Sequence, residues 1–377
     1  MRAGADTARL VPRDAADVAA IVAAAARPLA PVGGGSKRQI GKPVDAEPLD
    51  LKALTGIATY EPAELVLTAG AATPLAAIER ALEQHAQRLA FEPPDFGRLL
   101  GEERGQTIGG VLAANLAGSR RLTAGAARDH FLGFRAVTGR GEPFKAGGKV
   151  VKNVTGYDLP KLLAGSWGTL AVLTEVTIRV APAPELDRTL VVPAGSIGEC
   201  LALLAGALRS SHDVSAAGVD PARGALVRLE GFAASVEART RALCDELRCT
   251  PELVLEGSAS RDCWHALASA APLAASPVVW RISVPPADTR RALERLETDR
   301  YLVDWGGGLL FAGFEAVDAQ RVRGALAAGH ATLLKAPPAE RAATPVFQPQ
   351  APAVAAAAAR LRNAFDPRGI LNPGRMG

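Results

Sequence analysis

Residues Pro31 to Pro43 read PVGGGSKRQIGKP: three glycines in a row, then a serine and two cations, a composition suited to holding phosphate. A P-loop requires GxxxxGK followed by Ser or Thr. Gly41 and Lys42 satisfy the end of that pattern, but Ser36 stands where its first glycine belongs and Pro43 where its metal-binding hydroxyl belongs. A Rossmann fingerprint requires GxGxxG between a strand and a helix; Gly33 and Gly35 fit, yet Arg38 replaces the third glycine and QIGKPVDAEPLDL carries no helical pattern. A flexible turn and a nest remain open on the loop alone. In a nest, consecutive glycines reach backbone angles closed to other residues, so that successive N–H groups converge on one anion. Gly33, Gly34 and Gly35 would form it, the Ser36 hydroxyl would add a donor, and Lys37 and Arg38 would add charge.

Two further small-residue turns accompany the loop. QTIGGVLAANLAGS puts Gly109 and Gly110 where backbone can approach a flat or anionic ligand, and KNVTGYDLPKLLAGSWGTLAVLTEV supplies Gly165 and Gly168 just before a long strand. The expectation is that the three turns share one cleft and that their main-chain amides converge on a diphosphate. Metal chemistry is not encoded: Cys200, Cys244, Cys249 and Cys263 include no CxxC, and the five histidines show no HxH or HExxH spacing. The cysteines are expected to be buried or inert thiols.

The elements that must position these turns are legible in outline. At 377 residues the chain has room for about two domains. A net charge of +4 admits anionic ligands but lacks the clustered basic face of a nucleic-acid binder, and no run of about eighteen bulky apolar residues spans a bilayer. MRAGADTARLVPRD has no apolar signal core, so the chain reads as cytoplasmic. The first region, 1–182, should carry a helix over DAADVAAIVAAAA behind Asp14, leading straight into the glycine loop. A second helix should run through Leu75, Ile78 and Leu82, followed by an extended, glycine-rich stretch from FEPPD to AGSRR. A hairpin turns at TGRGE, and alternation from Leu170 to Val180 predicts a strand with one buried face.

Two prolines in APAPELD mark a boundary, and 183–350 follows a different plan. RTLVV, a helix through Leu201 and Leu204, two strands, a helix through Val236 and Leu243, and ELVLE make β-α-β-β-α-β. VVWRISV, DTRRALERL, YLVDW, LLFAGF, DAQRVRGALAA and ATLLK repeat that order. The fold class expected is therefore α+β, with two ferredoxin-like units building one antiparallel sheet. DWGGG, Asp304 to Gly308, reads as the turn of a hairpin with Trp305 packing, and Trp167, Trp264 and Trp280 read as core or rim. Residues 351–377 form a helix and a tail, FDPRGILNPGRMG.

The succession GGGS, FEPPD, TIGGVLAAN, GAARDHFLGFRAVTGRGE, KNVTGYDLPKLLAGSWGTLAVLTEVTIRV and FDPRGILNPGRM resembles the vanillyl-alcohol-oxidase or PCMH type of FAD-binding oxidoreductase. Within it, WRISVP, VDWGGGLLF and GHATLLK look like the FAD-binding E-subunit family of bacterial glycolate oxidases. The resemblance covers nearly the whole chain. It implies a two-part FAD-binding domain, a cap domain and a tail returning to the flavin. By position it assigns Gly33 to Lys37 to the FAD pyrophosphate, and Pro93, Thr107, Gly109 and Gly110 to the flavin and diphosphate, with Gly118 and Asp129 nearby. Gly156, Tyr157 and Asp158 would shape a channel wall, Gly165, Gly168 and Val172 would meet the cofactor through backbone, and Asn372 would bring the tail to the isoalloxazine. The glycine loop lacks the histidine that covalent members often use, so noncovalent FAD is expected.

The implied reaction is oxidation of glycolate or a similar 2-hydroxy acid, in a complex with a sister FAD subunit and an iron–sulfur subunit, with any membrane association peripheral and through partners. A carboxylate substrate calls for a bidentate cation, for which Arg281 is the candidate, and His330 is a possible base by type. An ion pair for Arg281 and a structural role for His330 remain open. The GHxGDGNxH-like segment of the larger dehydrogenases is matched here only by Gly329 and His330. An assembly subunit with an accessory or vestigial FAD site, and a stand-alone dehydrogenase, are the alternatives.

Overall fold

The computed structural model describes residues 10–102, 104–148, 157–193 and 195–377. The first unit contains α1 (Ala15–Ala24), β1 (Leu29–Val32), β2 (Glu47–Asp50), β3 (Ile57–Glu61), β4 (Val66–Gly70), α2 (Leu75–Glu83) and β5 (Gln87–Leu89). It continues through α3 (Gly97–Leu100), α4 (Ile108–Ala114), α5 (Arg121–Ala124), β6 (Phe131–Thr138), β7 (Pro143–Gly147), α6 (Leu159–Leu163) and β8 (Ala171–Pro182). Asp14 caps α1 by accepting the Asp17 N–H at 2.9 Å, and Val18 and Val22 are buried one turn apart. The glycine loop does not follow this helix directly. A four-residue strand, β1, intervenes and pairs in parallel with β2; it is too short for alternation to betray it.

The main sheet of this unit runs β3-β4-β8-β6-β7, with β5 also on β8. Because β8 is central, both of its faces are enclosed, not one: Leu173, Val176 and Ile178 pack with α2 and α4, while Val172 reaches the α1 core. The stretch expected to be extended after FEPPD instead folds into α3, α4 and α5. Thr107 starts α4 as its N-cap, and Asn115 ends it in the left-handed region at φ 48°. Segments of four to seven residues are too short to show helical periodicity.

The second unit comprises β9 (Leu186–Val192), α7 (Ile197–Arg209), β10 (Val214–Asp220), β11 (Gly224–Gly231), α8 (Ala233–Leu247), β12 (Leu253–Glu256) and α9 (Gly257–Ala268). Then come β13 (Val278–Ser283), α10 (Thr289–Leu296), β14 (Tyr301–Asp304), β15 (Leu309–Phe314), α11 (Ala319–Gly324) and β16 (His330–Lys335). The eight strands form one sheet in the order β12-β9-β11-β10-β14-β15-β13-β16. Each half has the ferredoxin-like order, and the halves meet where β10 pairs β14. Helix α9 falls where no element is expected from the sequence, although Ser260, Cys263, Trp264 and Leu267 are buried at helical spacing. After α12 (Pro338–Ala343) and α13 (Pro352–Phe365), the tail returns to the first unit: the Leu29 N–H donates to Ile370 O at 2.7 Å and the Asn372 N–H to Leu29 O at 2.9 Å.

One face of the eight-stranded sheet packs α7, α8, α10 and α11; the other carries α9 and lies on the first unit. There Phe96, Leu99, Leu100, Ala114 and Trp167 meet Val191, Leu226, Leu302, Leu309, Phe311 and Leu334. Beside this apolar contact runs an ionic seam. Arg228, 1% exposed, holds Asp187 at 2.5 and 3.0 Å and Glu92 of the first unit at 2.7 Å, and Glu230 is held by Arg88 and Arg120. Burial alone would raise the Glu230 carboxyl, but Arg228, Arg120 and Arg88 outweigh it and bring it down to about 2. All four cysteines are free: Cys200 and Cys263 are buried, Cys244 and Cys249 only partly. Among the described residues no helix is long and apolar enough to cross a membrane.

Arg228→Ala leaves buried acids without their cation and is expected to cost about 3–5 kcal/mol in denaturant unfolding. Arg290→Ala, which removes an exposed pair with Glu294 one helical turn away, should stay within about 0.5 kcal/mol of the parent.

Candidate functional site

A cleft opens in the first unit between the loop after β1, the start of α4 and the turn before β8. Two of its walls touch through glycine. A Cβ built on Gly34 would lie 1.9 Å from the Gly105 carbonyl oxygen, so any side chain there would push the loops apart; Gly35 has φ 81°, which also favours glycine. The reward of that close approach is a donor set. The N–H groups of Gly33, Gly34, Gly35, Ser36 and Lys37 donate to no acceptor among the described residues, although all five residues line the cleft and are at least partly buried. Five consecutive donors of this kind suit an anion with several oxygens.

The other two turns supply walls and fewer donors. The Gly109 N–H is taken by Ala71 O at 2.8 Å and the Gly110 N–H by the Thr107 hydroxyl at 3.4 Å. In the third turn, the Trp167 N–H is taken by Ala113 O and the Gly165 N–H by Leu112 O. The three turns therefore converge, as expected, but the free amides belong mainly to the first. Thr107, Gly109, Gly110, Gly168 and Asn372 all line the cleft with it.

Charge is concentrated at the same place. The Lys37 ammonium donates to Gln106 Oε1, and burial pulls its pKa down to about 8 against the opposing pull of Asp95. Arg375, absent from the sequence expectations, lines the cleft, donates to Lys37 O at 2.7 Å and stacks 5.5 Å from the Trp167 ring. Burial, with Arg38 and Arg341 as like charges, lowers it to about 10. Asn372 donates to Trp167 O at 2.9 Å and keeps a buried, unpaired Oδ1. The only sequence signal for Arg375 was its place in NPGR.

Several expected cofactor contacts lie outside this wall. Pro93 sits half-buried in its loop. The Gly118 N–H donates to Glu92 O at 2.7 Å, and its carbonyl accepts from Trp305 Nε1 at 3.0 Å. Asp129 accepts from the Ala126 N–H and Arg121, and Asp158 caps α6 by accepting from the Lys161 N–H. Gly165 abuts Asn115, Val172 packs into the α1 core, and Tyr157 is 90% exposed. Gly156 lies outside the described residues.

Arg281 and His330 do not line the cleft either, yet they lie together. Arg281 on β13 pairs in register with Thr332 and Ser283 with His330, which puts Arg281 and His330 on the sheet face turned to the first unit. Arg281 is 9% exposed, its Nε is buried without a partner, and its guanidinium stacks 4.9 Å from the Trp305 ring. It makes none of the hydrogen bonds or ion pairs found among the described residues, so the structural ion pair considered for it does not form. Burial lowers its pKa to about 10, Asp304 opposing and Arg121 assisting. Burial, then the Arg281 charge, lowers His330, so its imidazole is neutral at pH 7. DWGGG does turn the β14–β15 hairpin, but Trp305 does more than pack: it joins the two units through Gly118 and carries Arg281.

A family model described as an FAD binding domain matches residues 7–147. The glycolate oxidase subunit GlcE of Escherichia coli (strain K12) is 37% identical over 353 residues, 93% of this chain and 92% of that one. The glycolate oxidase subunit GlcD of Bacillus subtilis (strain 168) is 40% identical over 101 residues, covering 27% of this chain and 21% of its own. A D-lactate dehydrogenase of Anaerostipes hadrus is 38% identical over 110 residues, 29% of this chain and 22% of its own. A solved alkyldihydroxyacetonephosphate synthase superposes with a TM-score of 0.66 over 96% of this chain and 76% of that one, at 14% identity, a likeness of fold.

Gly34→Ala is expected to weaken FAD binding about 10- to 100-fold by parting the two loops, seen as flavin lost during purification while circular dichroism is unchanged. Lys37 loses its charge as pH rises through about 8, and a bound anion favours the charged form. The FAD dissociation constant should therefore rise up to about tenfold per unit above about pH 8, a slope that Lys37→Met abolishes.

Proposed function

Because the chain belongs to the family of the glycolate oxidase subunit GlcE, and so to the FAD-dependent oxidoreductases, we propose that it is the FAD-binding subunit of a glycolate-oxidizing complex. It would work with a sister FAD subunit and an iron–sulfur subunit, oxidising glycolate or a similar 2-hydroxy acid to the 2-oxo acid. The observation that carries the reading is the run of five free amides from Gly33 to Lys37 in a cleft walled by three small-residue turns. Those amides and the Lys37 and Arg375 cations suit the diphosphate of FAD, and the unpaired Asn372 Oδ1 gives the tail an acceptor for a hydroxyl or N–H donor elsewhere on the cofactor. Among the described residues no histidine, cysteine or tyrosine lines the cleft, which favours noncovalent binding.

Bound FAD supplies a two-electron acceptor for the hydride on the substrate's α-carbon. The chain's own share is orientation, charge and exclusion of water. Arg281 is suited to grip the substrate carboxylate through two parallel N–H donors, with the Trp305 ring holding the plane of the guanidinium. His330, neutral and close to that cation, is suited to accept the substrate's hydroxyl proton. The apolar contact of Phe96 with Leu309 and Phe311 keeps water from the junction. One observation favours a second reading, a subunit whose flavin relays electrons without a substrate site of its own: neither Arg281 nor His330 lines the cleft.

Anaerobic titration separates the two. Bleaching of the isolated chain's flavin by glycolate supports its own substrate site; bleaching only after partner subunits are added supports the relay. In the first case Arg281→Leu should slow flavin reduction at least about 100-fold with flavin content unchanged. The acidic limb of the reduction rate should lie below the ordinary histidine range and vanish in His330→Gln.

A further inference from the structure

A guanidinium as deep as that of Arg281 needs a counter-charge before any ligand arrives. The surrounding elements hold few. Arg121 of α5 faces it but carries like charge and pairs with Asp129 at 3.3 Å. His330 of β16 is neutral, and Glu92 is engaged by Arg228. That leaves Asp304.

Asp304 ends β14 opposite Leu309, which itself lies opposite Ser283, so carboxylate and guanidinium share one face of the sheet with β15 between them. Asp304 is fully buried and uses its oxygens elsewhere: Oδ2 accepts from the Ser119 hydroxyl at 2.7 Å, and Oδ1 from the Trp305 N–H at 2.7 Å. The acid therefore acts on Arg281 through space and through Trp305, whose ring carries the guanidinium, without occupying its N–H donors.

We propose that Asp304 is the counter-ion of Arg281 in the ligand-free protein and takes up a proton when a small carboxylate binds there. This rests on the reading of Arg281 as a carboxylate grip. A ligand carboxylate on Arg281 replaces the counter-charge and adds a second negative charge to a dry face, so the neutral form of Asp304 becomes the stable one. The acid is poised for this. Burial pushes it up, the Ser119 and Trp305 donors pull it down, Glu92 pushes and Arg281 pulls, and the result is about 7. Its pKa is higher still with ligand bound, so affinity is greatest at low pH and falls as pH rises through the ligand-free value. Asp304 is thus a positioning residue that acts through Arg281.

The test uses the holoprotein saturated with FAD and oxamate, a monoanionic carboxylate with no hydride to give. Calorimetry in buffers of different ionisation enthalpy, from about pH 6.5 to about 8.5, should show uptake of about half a proton or more near pH 8 and a dissociation constant rising up to about tenfold per unit. Asp304→Asn should bind oxamate with a flat profile and no uptake. Ser119→Ala, which removes a donor to the ionised acid, should move the bend to higher pH. Oxamate binding without proton uptake, or uptake unchanged in Asp304→Asn, overturns the inference and leaves the Arg281 grip standing. Absence of oxamate binding removes the grip as well.

Discussion

The cleft depends on how closely two backbones approach. Only because Gly34 has no side chain can its loop lie against the Gly105 carbonyl, and only then do five amides from Gly33 to Lys37 share one concavity with Thr107 and Gly168. The amides left unpaired by that packing are what give the site its preference for an anion. Lys37 and Arg375 reinforce the preference, but both are partly buried and lowered in pKa, so their help presupposes the ligand's charge.

The second unit meets this arrangement with an apolar centre flanked by charge. Two adjacent residues of the first unit, Ser119 and Arg120, reach different halves of the sheet: Ser119 hydrogen-bonds Asp304 on β14, and Arg120 forms an ion pair with Glu230 on β11 at 3.0 Å. Gly118, just before them, is tied to Glu92 and Trp305. Residues 118–120 therefore tie the first unit to both ferredoxin-like halves. The cost of burying so many charges is offset only while every partner is present.

Much of this was legible in the sequence, for reasons that differ by scale. The strand and helix order of the second unit could be read because its elements are long enough for periods of 2 and 3.6 to show. The glycine turns were legible as composition, and Gly33 to Lys37, Thr107, Gly109, Gly110, Gly168 and Asn372 do share a cleft. Short elements were not: β1, α3, α4 and α5 are too brief to carry a period, and their boundaries are set by a cap at Thr107 and tertiary pairing with β2. Contacts across the chain left no local mark either. Ser119 and Asp304 are 185 positions apart, so nothing in DWGGG discloses a bond that exists only after both units fold.

The tail's place in the cleft carries a consequence for biosynthesis. Arg375 reaches Lys37 across 338 positions, and the segment around Leu371 and Asn372 pairs with β1 near the start of the chain. A nascent polypeptide emerging from the ribosome has its glycine loop exposed long before this closing segment exists. The cleft is therefore completed only after both ferredoxin-like halves have been translated.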